Sequence, residues 1–252
     1  MAPRFLARLW DGFSRGALWA SILVVAVSGA QGSQADTVII ESADFADPTK
    51  RYGHLVLGKD HNWDTLEIKL SDGTRHAVRH SELVFEDTRP RLIDIDGDDK
   101  PEVLTVESGT GLGARLVIYG LRDGTIRLVA ATPHIGQTNR WFAPIGAADL
   151  DGDGAVEVAF VDRPHLAKVL RIWRYREGQF TEAATAPALT NHRIGWDYIE
   201  GGLRACDGRV EMILASGNWA RLMSIRFDGA DLTKTDIGPY TPDQIAAALT
   251  CK

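Results

Sequence analysis

Two short acidic segments hold the residues of this chain best suited to chemistry. Asp94, Asp96, Asp98 and Glu102 fall within one run, DIDGDDKPE, and Asp149, Asp151, Asp153 and Glu157 within another, DLDGDGAVE. Both runs put carboxylates at positions one, three, five and nine, and they begin 55 residues apart. Hard oxygen ligands packed this tightly suit Ca2+, which takes about six to eight oxygens at roughly 2.3–2.6 Å. Backbone carbonyls at position seven, on Lys100 and Ala155, would complete each cage. Glycine lets such a loop curl its oxygens inward. Position six of the first run is Asp99 rather than glycine. Aspartate tolerates the left-handed conformation better than most residues, so a weaker first site is expected, not a lost one. Without a cation the carboxylates would repel one another. An EF-hand does not fit, because position twelve is Thr105 in one run and Phe160 in the other, and the flanks read as strands. The alternative is an acidic surface turn with no metal. Recurrence of the pattern in register favours two calcium sites.

The elements that must hold these loops are short antiparallel strands. Four turn signals, Asp72-Gly73, Asp123-Gly124, Glu177-Gly178 and Asp228-Gly229, recur at spacings of 51, 54 and 51 residues. Each follows an alternating run: 65–70, 115–119, 169–173 and 222–227. Alternation closed by Asp-Gly or Glu-Gly is a hairpin signal. A further strand is expected before each run, at 54–57, 103–106, 158–161 and 212–215. Each unit thus reads as three or four strands in about 50 residues, a period typical of propellers and other arrays. One such unit cannot bury both faces and must pack on its neighbours. The expected fold is therefore all-β, a β-propeller of four antiparallel blades, or five if spare segments such as 37–42 build another. A closed ring is favoured over an open arc, whose edges would invite aggregation. The one helix expected is 242–249, with Thr241 as N-cap and Pro242 at its start.

The motif Asp149-x-Asp151-Gly152-Asp153-Gly154-x-x-Glu157, followed by an apolar strand, resembles the FG-GAP or VCBS repeat of integrin α-chain β-propellers and many secreted bacterial proteins. The segment from Asp94 to Glu102 resembles it as well. The resemblance implies propeller blades with calcium held between adjacent strands, and it spans roughly residues 40–235. The outer repeats depart from the pattern. Aligning Glu211 with Glu157 puts Leu203 and Ala205 at positions one and three, and Arg209 at seven. In the first repeat His54 would take position nine and Lys50 position five. Calcium is expected in neither.

Composition sets the wider limits. The chain has 252 residues, a formal net charge of −6, 44% hydrophobic residues and two cysteines. That rules out wholesale disorder, a disulfide scaffold and a cysteine-based zinc cluster. An acidic balance argues against a nucleic-acid partner. Residues 1–16 carry Arg4, Arg8 and Arg15, and residues 17–27 (ALWASILVVAV) form an apolar run too short to span a bilayer. Small residues follow, so residues 1–35 read as a secretory signal peptide cleaved after Ala30 or Ala35. The expected location is periplasmic or secreted, with no membrane span in the mature chain. The expected domains are this leader, a propeller over 36–240 and a helical tail over 241–252. Removing three Arg and one Asp takes the charge from −6 to −8, and each acidic loop carries −4. In an oxidising compartment Cys206 and Cys251 can pair, or remain two free thiols.

Other candidates are less specific. Asn62-Trp63 and Asn218-Trp219 sit at similar repeat positions, where a Trp platform for sugars or peptides is one reading and inter-blade packing the other. Seven histidines show no zinc spacing and suit surface or hydrogen-bonding roles. No nucleophile elbow or phosphate loop is present. The leading expectation is a monomeric, calcium-stabilised binding module for a protein or glycan, not an enzyme. Its alternatives are an envelope-assembly component without a small ligand, and a carbohydrate-active enzyme for which Glu107, Asp162 and Glu200 are the loose candidates.

Overall fold

A computed structural model describes residues 37–251. The expected leader lies outside the described residues. No helix among them is long and apolar enough to cross a membrane. The described strands form three antiparallel sheets, the first of which joins two units, so that four units follow one another in series. The first holds β1 (Ile40–Thr49), β2 (Asn62–Leu70) and β3 (Arg75–Arg79). The second holds β4 (Val84–Phe85), β5 (Arg91–Ile93), β6 (Glu102–Gly109), β7 (Gly113–Arg122) and β8 (Thr125–Ala131). The third holds β9 (Phe142–Ala148), β10 (Glu157–Asp162), β11 (Val169–Arg176) and β12 (Gln179–Pro187). The fourth holds β13 (Leu189–Thr190), β14 (Gly202–Cys206), β15 (Arg209–Ser216), β16 (Arg221–Phe227) and β17 (Leu232–Pro239), followed by α1 (Pro242–Leu249).

All four turn signals close hairpins. Asp123-Gly124 and Glu177-Gly178 have positive φ at both residues (51° and 74°, 49° and 78°). That is the mirror-image turn whose twist matches the flanking strands. The all-β, propeller-like architecture and its short C-terminal helix are as expected. Thr241 accepts the Gln244 N–H at 3.1 Å, Pro242 opens the helix, and Cys206 is bonded to Cys251.

The first unit corrects the sequence reading. Residues 54–57 are not a strand. The partner of β2 is β1, registered from Ile40 on Leu70 to Thr49 on Asn62. Segment 37–42 is therefore spent on this unit and builds no fifth one. The 54–57 stretch instead plugs the core: Val56 and Leu57 are buried in it, and the Gly195 N–H donates to the Val56 carbonyl at 2.9 Å. A three-residue apolar run, Leu55-Val56-Leu57, satisfies burial equally well as a plug or as a strand. His54 and Lys50 consequently lie in the β1–β2 connection, not in a loop equivalent to 94–102.

Units two and four start with two strand fragments, β4 with β5 and β13 with β14, both laid on the central strand. Unit three spans the same distance with the single strand β9, bulged where Ala159 gives way to Phe160. Unit one has no such first strand among the described residues. Strands β6 and β10 are buried at every position. Leu104 and Val106 of β6 join the main core, whereas Val103 joins a smaller cluster with Leu66 and Ile68 of unit one. The outer face of unit four is covered by Ile245 and Ala248 of α1 against Ile213 and Leu222. The outer face of unit one is polar, with Asp47 held by Thr65 and Arg79. Units one and four thus meet through the β1–β2 connection rather than by face-to-face closure.

Hairpin alternation sorts the connections between two ends. One end gathers the 94–101 and 149–156 loops and the Asp-Gly and Glu-Gly turns. The other gathers 50–61, 132–141, 163–168, 191–201 and 217–220.

Candidate metal centre

The 94–101 and 149–156 loops each join the first strand of a unit to its central strand. Their position-one aspartates build the curl. Gly97 and Asp98 N–H groups donate to Asp94 Oδ1 at 2.8 and 3.2 Å, and the Asp99 N–H to Oδ2 at 3.0 Å. Gly152 and Gly154 N–H groups do the same for Asp149, at 2.7 and 3.0 Å. Asp99 takes φ 62°, in the left-handed region that Gly154 occupies at 86°. Aspartate therefore meets the backbone demand at position six. The position-nine glutamates close the loop from beneath. Glu102 Oε2 accepts the Ile95 N–H at 3.1 Å and Glu157 Oε2 the Leu150 N–H at 3.0 Å.

Three of the four carboxylates converge in each loop. Asp94, Asp96 and Glu102 bring one oxygen each within 4.8 Å of one another, and so do Asp149, Asp151 and Glu157. Asp98 and Asp153 stand outside these groups. Asp98 accepts from Lys100 Nζ at 2.7 Å, and Asp153 from Arg176 Nη2 at 2.6 Å. Their other oxygens accept the Lys100 and Ala155 N–H groups, at 3.0 and 2.8 Å.

The sequence reading missed the arginines. Arg122 Nη2 donates to Asp96 Oδ2 and Glu102 Oε1, each at 2.9 Å. Arg174 Nε donates to Glu157 Oε1 at 2.5 Å, and its Nη2 to Asp151. The strand register was the available signal, because Arg174 lies directly across from Glu157. These cations do not satisfy the acids fully. Burial holds the Glu102 and Glu157 carboxyls above the usual range despite the guanidiniums. Three charged hard oxygens with an incomplete counter-charge fit a divalent cation such as Ca2+. Asp94, Asp96 and Glu102 would hold one ion, and Asp149, Asp151 and Glu157 another. Bound there, the ion would neutralise charge and tie the loop.

Unit four has no such loop. Its first and central strands meet in the two-residue turn Asp207-Gly208, with φ 53° and 73°. Leu203 and Ala205 belong to β14. Glu211 persists, but Arg226 Nε donates to Oε1 at 2.6 Å and Arg204 Nε to Oε2 at 2.7 Å. Burial pushes this carboxyl up, yet the two guanidiniums outweigh it and hold it below the usual range.

Residues 94–160 match the FG-GAP-like repeat. That stretch runs from the first acidic loop through the second into β10. No curated protein matches the chain in sequence.

Outside the FG-GAP-like loops, the three loose catalytic candidates are already engaged. Glu107 accepts from Arg115 at 2.7 Å, from His80 at 2.7 Å and from the Tyr119 hydroxyl. Asp162 accepts from Arg163 at 2.7 Å and Arg171 at 2.9 Å, and Glu200 from the Tyr240 hydroxyl at 2.9 Å. His54, His61, His80, His134, His165 and His192 form hydrogen bonds. His54 Nδ1 donates to buried Glu86 at 2.5 Å. His192 Nε2–H donates to the Trp196 carbonyl at 3.0 Å, so its Nδ1 accepts from His165 at 2.9 Å. Burial pushes both His165 and His192 down to about 4, so this pair is neutral at pH 7.

Trp63 and Trp219, for which inter-blade packing and a ligand platform are the two readings, divide between them. Trp63 stacks on Phe45 within unit one, and Trp141 is buried with its Nε1 donating to the Glu86 carbonyl at 2.6 Å. Trp219 joins a different group at the end opposite the acidic loops. Tyr198 stacks on Trp196 at 4.7 Å, Trp196 meets Trp219 edge-on at 5.2 Å, and Trp219 meets Tyr240 at 5.0 Å. Arg193 lies 4.4 Å from the Trp219 ring.

Proposed function

We propose that this chain is an exported, calcium-stabilised binding module that acts as a monomer. Its ligand, a protein or glycan, docks at the end opposite the acidic loops. One observation carries the calcium reading: the same carboxylate triad occurs at the same place in two consecutive units, inside the FG-GAP-like stretch. The ion is read as structural, because each triad ties its loop back onto the central strand, through the Ile95 and Leu150 N–H groups held by Glu102 and Glu157. The Cys206–Cys251 bond supports an oxidising compartment outside the cytoplasm.

The docking end is supported by the Trp196, Tyr198, Trp219 and Tyr240 group with Arg193 beside it. Aromatic faces offer large contact area with little side-chain entropy to lose, and they stack on sugar rings and peptide groups alike. Engagement of Glu107, Asp162 and Glu200 by internal partners favours a binding role over a hydrolytic one.

Calorimetric melting tests the metal. Calcium at about 100 times its dissociation constant adds about 2.7 kcal/mol per site. For a chain of this size that raises Tm by roughly 5–10 °C per site, and EGTA reverses it. An identical melting curve in calcium and in EGTA would refute the calcium reading. Glycan and peptide arrays probed with wild type and Trp219→Ala test the docking end. A ligand bound equally by both would place recognition elsewhere.

A further inference from the structure

In both acidic loops a guanidinium already sits where a metal ion would be counter-charge. Arg122 bonds the position-three and position-nine carboxylates of its loop, Asp96 and Glu102. Arg174 bonds the same two positions in the other loop, Asp151 and Glu157. In unit four, where there is no loop, two arginines take both oxygens of Glu211. The series runs from a carboxylate group shared with one arginine to a carboxylate wholly taken by two.

We propose that Arg122 and Arg174 compete with calcium for these carboxylates and thereby set the affinity of each site. This rests on the reading that the loops bind calcium. Two cations held by the same oxygens repel, so the arginine must withdraw as the ion enters. Withdrawal is easier for Arg122. It projects from the end of β7, two residues beyond Gly120, which stands across from Glu102 by continuation of the Val103–Tyr119 register. A Cβ at Gly120 would lie 2.8 Å from Val129 Cγ2, 3.0 Å from Glu102 Cγ and 3.1 Å from Arg122 Nη1, so only glycine lets the Arg122 guanidinium lie over Glu102 at this point. The Arg122 side chain is 35% exposed, and that of Arg174 only 18%. Arg174 is also packed 5.6 Å from the Phe227 ring of unit four. The 94–102 loop is therefore the tighter site, the reverse of what Asp99 at position six implies from sequence.

Calcium titration by calorimetry on the full mature protein tests this, with Asp96→Ala and Asp151→Ala assigning the two sites. Arg122→Gln and Arg174→Gln should each tighten their own site about ten-fold, Arg174→Gln the more. Arg174→Lys, which keeps the charge, should stay near wild type. Unchanged or weaker binding after Arg→Gln overturns the competition, and a tighter 149–157 site in wild type overturns the ranking. Two sites in wild type with no response to Arg→Gln would leave the calcium reading standing and sink only this inference. Binding by the variants alone would sink the calcium reading for wild type and uphold the competition. No binding by any of them sinks both. Should Arg174→Gln fold only when calcium is present, that dependence itself supports the competition, and Arg122→Gln supplies the affinity.

Discussion

Units three and four solve one problem in two ways. Each begins its central strand next to a buried glutamate faced by an arginine across the ladder, Glu157 with Arg174 and Glu211 with Arg226. Unit three reaches that strand through an eight-residue acidic loop, and unit four through the two-residue turn Asp207-Gly208. The anchoring of the two hairpins also differs. Cys206, at the edge of the hairpin in unit four, is tied covalently to Cys251 beyond α1. Unit three has no cysteine and carries surplus carboxylate instead. The glutamate–arginine pair is thus common structure, and the acidic loop is the addition.

Breaking the covalent tie should have the largest effect. Its closed loop spans 45 residues, for which chain entropy gives about 4 kcal/mol. A Cys206→Ser, Cys251→Ser double variant should therefore melt roughly 10 °C lower, with calcium binding intact. Next comes Glu211→Ala. It leaves Arg204 and Arg226 without their acid and should cost about 3 kcal/mol in urea denaturation. The calcium-induced rise in Tm should be unaffected by Glu211→Ala but reduced by Glu157→Ala. If both variants lose it, the two units are not distinct in function. A smaller effect in stability is expected from Asp151→Ala, read as calorimetric stoichiometry falling from two ions to one. Asp207→Ala should leave two. Asp153, outside the converging group, should weaken its site without abolishing it.

A separate effect, outside this ranking, is an acid one at the interface of units three and four. His165 and His192 have folded values near 4 against 6.5 unfolded. Between those values the unfolded chain binds more protons, so their neutral pairing stabilises fully above pH 6.5 and is lost as pH falls toward 4. A melting profile over that window should slope downward on acidification, and His165→Asn should flatten it. A slope unchanged in the variant would assign the acid response to other groups.

Periodic features were readable before any coordinates. The four hairpin turns, the acidic loops, the Thr241 cap and the missing loop acids of unit four all leave local marks, because turn chemistry and ligand spacing are encoded within a few residues. Longer-range features were not. The 54–57 run has strand composition, and only the placement of β1 shows that it is a plug. Arg122 and Arg174 are ordinary strand residues until register sets them against the loop acids. Trp63 and Trp219 share a repeat position yet have different neighbours, since among the described residues unit one has no counterpart of the first strand that unit four possesses. The cysteine pair was one of two open readings, and proximity across 45 residues decided it.

The short strand β4 pairs with β2 of the unit before it through Trp63–Phe85, and with β6 of its own unit through Ser108 and Glu107. The Leu189 N–H bonds the Lys168 carbonyl of unit three, while β13 pairs with β15. The units are therefore shingled, each fastened to the edge of the last. Excising a unit would strip bonds from the one before it as well as its own. Such a chain should melt as one cooperative body, and as it emerges during synthesis a unit would be completed only when the opening residues of the next have arrived.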